Sequence, residues 1–180
     1  KKDAIEKILT AIWNHSNEAF ILKRNLVIFH LLLFCGLRRG ELIFLQIRDF
    51  DLDNKTLTVR AETSKVQRSR HIPLNSRVTL CLKDYLQTRK QLKTQYLIAS
   101  RSRDDRLSFD GLEHLVKRLK LHSGVNFHLH QLRHTFAVNF LNSGGDIAKL
   151  KQLLGHTNIT MTVQYLRCLP VRAMRADVEN

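Results

Sequence analysis

Two arginines, two histidines, a lysine and a tyrosine in this chain could together break a phosphodiester bond. They stand in the runs Gly36-Leu37-Arg38-Arg39-Gly40-Glu41-Leu42, His130-Gln131-Leu132-Arg133-His134, Leu154-Gly155-His156 and Thr162-Val163-Gln164-Tyr165, with Lys65 alone between two strand-like stretches. Cutting DNA without a metal needs three things. A nucleophile must attack phosphorus, and a tyrosine phenol serves once its pKa is drawn down from about 10. The transition state gathers negative charge on the non-bridging oxygens, which guanidinium forks hold through paired hydrogen bonds. The departing 5′ oxygen needs a proton, which a lysine or a histidine can supply.

Spacing indicates how these groups could be held. His130 and Arg133 are three apart, so they share one face of a predicted helix whose apolar stripe includes Leu129, Leu132 and Phe136. The same spacing also suits ordinary solvated residues on an amphipathic helix. His130 and His134 have the i, i+4 spacing of a zinc-binding HExxH helix. Gln131 replaces the general-base glutamate and Arg133 would bring positive charge beside the cation, so no metal and no other cofactor is expected. Arg38 follows a long apolar stretch that breaks at Gly36. Glu41, one turn on, could orient Arg38 by an ion pair or simply complement a helix N-terminus. Arg39 reads as a surface charge for the DNA backbone, and Arg68 and Arg70, which flank Lys65 in a hairpin connection, read the same way. If 158–166 is helical, Ile159, Val163 and Leu166 point to the core, and Tyr165 lies about 100° around from them, off the buried stripe.

The elements that must position these side chains are mostly helices. A helical period runs through Ile5, Ile8, Leu9 and Ile12 between Asp3 and Asn14. Asn17 is a cap for a second helix from Glu18 through the Leu31–Cys35 run, with Gly36 as its stop, and Leu42–Leu45 suggests a short turn. Leu57, Val59 and Ala61 alternate with polar residues, as do the residues around Ile72 and Leu74, so two strands joined by 62–68 are expected. Helical stripes resume at Val78, Leu82, Tyr85 and Leu86, at Leu112, Leu115, Val116 and Leu119, and from Leu129 to Leu141, ending near Gly144-Gly145. Asp146 and Gly155 bracket a helix over 147–154, and Asn158 caps a last short helix carrying Tyr165. The basic stretch 95–106 reads as a surface loop. The fold class is mainly α with a small antiparallel β-sheet, an α+β domain.

Charge narrows the partner. Thirty Lys and Arg against 16 Asp and Glu give +14, which points to a polyanion and to nucleic acid first; a diffuse basic surface is the plainer alternative. Cys35, Cys81 and Cys168 are odd in number and widely spaced, without a CxxC, which fits a reducing cytoplasm and no structural zinc. The longest apolar run, Leu26 to Cys35, is broken by His30 and falls short of the roughly 20 residues of a membrane span. The first residues carry no signal-peptide pattern and no initiator methionine, so the chain reads as a piece of a longer protein.

In this order the segments Gly36-Leu37-Arg38-x-x-Glu41-Leu42, Lys65 before Arg70-His71-Ile72-Pro73-Leu74, His130-x-Leu132-Arg133-His134-Thr135-Phe136-Ala137, Leu153-Leu154-Gly155-His156 and Tyr165 resemble the catalytic domain of the tyrosine recombinases, the phage integrase family. The resemblance covers nearly the whole chain and implies a DNA breaking-rejoining fold. By position it implies that Arg38 and Arg133 clamp the scissile phosphate, that Lys65 is the general acid, and that His130 assists as acid, base and phosphate ligand. His156 corresponds to the second histidine, Glu41 to the acidic support residue, and Tyr165 to the nucleophile that forms a 3′-phosphotyrosyl bond. It further implies double-stranded DNA at specific recombination sites as partner, no ATP, and a tetramer on DNA whose C-terminal tails dock on neighbours; here the tail carries Leu169, Val171, Ala173 and Met174. A cytoplasmic, nucleoid-associated protein encoded by a phage or mobile element fits that pattern. Residues 1–180 correspond to the C-terminal catalytic domain alone, without the family's N-terminal DNA-clamping domain. Two other readings use the same side chains: a type IB topoisomerase-like relaxing enzyme, and an inactive DNA-binding regulator on the same scaffold.

Overall fold

The computed structural model describes residues 2–64 and 67–168. Helix α1 (Lys2–Asn14) buries Ile8, Ala11 and Ile12, the stripe its period predicts. Helix α2 (Ala19–Cys35) buries Val27, Ile28, Phe29, Leu31, Leu32 and Leu33, which occupy more than one side of the helix, so it runs through the middle of the molecule. Its first carbonyl is that of Glu18, which accepts from the Leu22 N–H at 2.9 Å, so the cap position falls on Glu18 and not on Asn17 as expected. It ends at Gly36, whose φ of 60° is the left-handed geometry glycine tolerates. Cys35 sits at that end, where complete burial pushes its thiol up to about 12.

Arg38 caps the short helix α3 (Arg39–Ile43). A three-stranded antiparallel meander follows: β1 (Phe50–Asp51), β2 (Thr56–Val59) and β3 (Arg70–Pro73), in the order β1-β2-β3. Leu57 pairs with Ile72 and Val59 with Arg70. Two strands were expected; β1 is too short for an alternation to show. Ala61, expected in a strand, opens a 3-10 turn (Ala61–Thr63) after the Arg60 guanidinium turns back to the Phe44 carbonyl at 2.8 Å.

Helices α4 (Ser76–Thr88) and α6 (Leu129–Asn142) pack on α2, and α5 (Phe109–Ser123) packs on α1. The stretch read as a surface loop is only partly that. Leu97, Ile98 and Ala99 are fully buried. The Tyr85 hydroxyl donates to the Leu97 carbonyl at 3.1 Å and Arg24 donates to that of Ala99 at 3.1 Å. Basic neighbours had concealed a three-residue apolar anchor.

Helix α7 (Ile147–Leu154) starts where Asp146 accepts from the Lys149 N–H at 2.8 Å and stops at Gly155 with φ 62°, as its sequence predicts. The cap position of the next helix falls on Ile159 and not on Asn158 as expected, although Asn158 Oδ1 accepts from the Thr160 N–H at 2.9 Å; helix α8 (Thr160–Val163) is four residues long and ends before Tyr165. A main core surrounds α2; a second, smaller one joins Ala137, Val138, Leu141, Leu150, Leu154 and Tyr165. Among the described residues no helix is long and apolar enough to cross a membrane.

Candidate active site

The site is built on the C-terminal end of α7. A helix leaves its last carbonyls without intrahelical partners and concentrates negative potential there. Here three consecutive carbonyls each take an arginine. Leu153 accepts from Arg70 Nε at 2.7 Å, Leu154 from Arg133 Nη2 at 2.7 Å, and Gly155 from Arg38 Nη2 at 2.9 Å. Arg133 also donates through Nη1 to the Gly36 carbonyl at 2.6 Å, so one side chain ties the ends of α2 and α7 together. Both ends are left-handed glycines. A Cβ on Gly36 would stand 2.4 Å from Phe136 Cδ1, and one on Gly155 would stand 3.0 Å from Arg70 Nη1.

Glu41 faces this cluster from α3. Its carboxylate accepts from the Arg38 backbone N–H at 2.8 Å, from Arg38 Nη1 at 3.0 Å, and from both terminal nitrogens of Arg70 at 2.9 and 2.7 Å. The two sequence readings of Glu41, arginine support and helix N-terminal carboxylate, are therefore both realised. Burial alone would raise its pKa, but the hydrogen bonds and charges of Arg70 and Arg38 outweigh it and hold the carboxyl below its usual range.

Arg70 corrects an expectation. It was read as a DNA-backbone charge, yet it is 8% exposed and all three of its nitrogens are engaged by Glu41 and Leu153. It is a positioning residue that locks α3, β3 and α7 together. Arg39 is half-exposed as expected and pairs with Glu113 at 2.8 Å, while Arg68 lies exposed on the rim of a cavity of about 660 Å³ between β3 and α7.

His156 follows Gly155 directly and is 9% exposed. Its Nε2 lies 3.1 Å from Arg133 Nη2 and its Nδ1 lies 2.9 Å from the hydroxyl of Thr162. An arginine can only donate, so Nε2 is the acceptor and the ring proton sits on Nδ1, donating to Thr162. Burial, then the charges of Arg133, Arg38 and Arg70, lower the His156 pKa to about 4. The ring is neutral with its tautomer fixed. Burial and the neighbouring Arg38 likewise lower Arg133 to about 10. Thr162, fully buried, is a site residue that sequence reasoning missed; a threonine six residues after a histidine carries no signal of its own.

Tyr165 overturns the helical-face argument. The expected core residues Ile159 and Val163 are exposed at 42% and 40%, whereas Tyr165 is 2% exposed. Because α8 stops at Val163, the 100° step no longer applies at position 165. The Tyr165 ring lies nearly parallel to His156, with centroids 6.3 Å apart, and packs against His134 at 5.2 Å. The phenol is thus part of the smaller core and borders the arginine cluster at once. His130, on the first turn of α6, is exposed and lines an apolar cavity of about 490 Å³ between α1 and α6. Lys65 lies outside the described residues, as do Leu169, Val171, Ala173 and Met174 of the tail.

Arg38, Arg70 and Arg133 against Glu41 leave a surplus of positive charge at a point walled by backbone carbonyls and a neutral imidazole. Such a place suits an oxyanion. A model of the phage integrase family matches residues 1–170, and the chain belongs to that family. Among its relatives, the tyrosine recombinase XerA of Pyrococcus horikoshii is 34% identical over 181 residues, which cover 99% of this chain and 59% of that protein. XerA of Thermococcus onnurineus is 35% identical over 81% of this chain and 51% of its own length. The chain therefore spans between half and three-fifths of these relatives. The crystal structure of XerA recombinase superposes with a TM-score of 0.79 at 29% identity, over 98% of this chain and 60% of that one. The catalytic domain of bacteriophage HP1 integrase shares the fold, with a TM-score of 0.68 over all of this chain and 93% of that domain.

Proposed function

We propose that residues 1–180 form the catalytic domain of a site-specific DNA recombinase that cuts and rejoins strands through a 3′-phosphotyrosyl intermediate. The observation that carries this reading is the convergence of Arg38 and Arg133 beside Tyr165, each fixed on a helix-end carbonyl. Arg38 and Arg133 bind the non-bridging oxygens of the scissile phosphate. Tyr165 Oη attacks phosphorus, its proton passes to His130 as base, and the bond to the 5′ oxygen breaks. Lys65 protonates that oxygen, and His130 assists as acid, base and phosphate ligand. His156 holds Arg133 in place through Nε2. The phosphodiester's energy is kept in the new bond, so a second strand's 5′ hydroxyl reverses the attack without ATP.

The partner is double-stranded DNA, which fits the charge of +14. XerH, whose fold this chain shares at a TM-score of 0.78, is seen bound to a palindromic difH substrate. Assembly is a tetramer with exchanged C-terminal tails, acting in the cytoplasm. A duplex nicked close to the cleavage point tests the reading, because the released fragment diffuses away and traps the protein on DNA. Covalent adduct is expected. Binding without adduct would leave a regulator, and relaxation of a supercoiled plasmid lacking any cognate site would leave a topoisomerase.

A further inference from the structure

A second cationic site lies well away from the first. Arg24 stands near the start of α2, about 16 Å along the helix axis from Cys35 and the arginine cluster beyond it. It is 8% exposed, and among the described residues no carboxylate lies within ion-pair distance of it. Nη1 donates to the Ala99 carbonyl at 3.1 Å, Nη2 reaches Asn25 Oδ1 only at 3.5 Å, and Nε has no partner. Holding the Ala99 segment in place thus accounts for one nitrogen of three. A buried charge without a counter-ion is costly, and the usual compensation is a bound anion or a paired carboxylate.

Arg24 lines a groove of about 570 Å³ whose other wall is α5, with His114, Lys117 and Arg118 along it and Leu115 and Leu121 beside them. His114, Lys117 and Arg118 are exposed, and neither Lys117 nor Arg118 pairs with a carboxylate among the described residues. Burial, and the positive charge of Arg118, lower the Arg24 pKa, so the two guanidiniums feel one another. Like charges gathered on one groove repel unless something negative sits between them.

We propose that this groove is a second binding site for a phosphate-class oxyanion, with Arg24 as the buried anchor and Lys117 and Arg118 as the outer donors. Two sources share that chemistry: a backbone phosphate of bound DNA, which rests on the proposed function, and a free phosphoryl compound, which does not. Methyl NMR of the chain titrated with pyrophosphate distinguishes the groove from the catalytic cluster, since Leu115 and Leu121 report on the former and Leu154 on the latter. Saturable shifts at Leu115 and Leu121 are expected. Lys117→Gln with Arg118→Gln should weaken them about tenfold or more, the size of one charge-assisted hydrogen bond, and leave Leu154 unchanged. Arg24→Gln should do the same; if it fails to fold, the surface pair decides. Displacement of pyrophosphate by a duplex, with a shallower salt dependence of DNA binding in the double variant, assigns the groove to DNA. Retention of pyrophosphate assigns it to a free phosphoryl ligand. If neither pyrophosphate nor duplex moves the Leu115 and Leu121 signals, or the variants respond as the parent does, the groove is not an oxyanion site.

Discussion

Glu41 and His156 decide what the arginines can do. Among the described residues Glu41 is the one carboxylate amid Arg38, Arg70 and Arg133, and Glu41→Gln leaves Arg70 buried without its counter-ion. Breaking a buried pair this way costs about 3–5 kcal/mol, so a fall in Tm of at least about 6 °C is expected by calorimetry. His156 makes the opposite kind of statement. Its folded pKa of about 4 lies below the ordinary 6.5, so the unfolded chain binds this proton more readily. The stability it contributes is full above pH 6.5 and is lost as pH falls towards 4. Urea unfolding should show that decline, and His156→Gln should flatten it; the decline from Glu41 belongs below its ordinary value of 4.5. A bound oxyanion neutralises the arginines, so NMR titration of His156 with phosphate present should give a higher pKa than without it. The clustering at this scale was legible in part: Arg38, Arg133, His156 and Tyr165 were singled out and lie together, whereas His130 lines the separate cavity between α1 and α6. Arg70 was misread because an ion pair spanning 29 residues leaves no mark in local spacing, and Thr162 because a buried hydroxyl has no motif.

The elements convert those residues into geometry, and the glycine ends of α2 and α7 do most of it. Gly36 must be left-handed, must admit Phe136, and must offer its carbonyl to Arg133. Gly124, at the end of α5, is also left-handed with φ 67°, but a Cβ there would meet nothing. Gly124→Ala should therefore cost only the backbone strain, about 1–3 kcal/mol, with cleavage intact. Gly36→Ala should cost more by denaturant unfolding and should also slow cleavage, since the clash with Phe136 moves the carbonyl that holds Arg133. The stops at Gly36 and Gly155 were readable from sequence, as were the stripes of α1, α4, α5 and α6, because glycine punctuation and helical periods are local signals. The end of α8 was not. A step of 100° per residue holds only along a helix that continues through position 165, and a four-residue helix turns the expected pattern over, exposing Ile159 and Val163 and burying Tyr165. Leu97–Ala99 was hidden for a related reason: three apolar residues are too few to outweigh basic neighbours until Tyr85 and Arg24 are seen to hold them.

At the scale of the molecule, charge and family agree. A chain with +14 that gathers Arg38, Arg70 and Arg133 into one cluster should bind DNA through counterion release. The logarithm of affinity should fall linearly with the logarithm of salt, with a slope of about −0.9 for each phosphate neutralised, measured by anisotropy on a labelled duplex. A flat plot would mean that the basic surface is not the interface. The central chemical claim is settled by mapping the trapped adduct. After incubation with nicked duplexes and digestion with trypsin, the peptide 152–167 should carry a nucleotide through its 3′ phosphate on the oxygen of Tyr165, and Tyr165→Phe should yield no adduct. A nucleotide attached to any other residue, or joined through a 5′ phosphate, would contradict it.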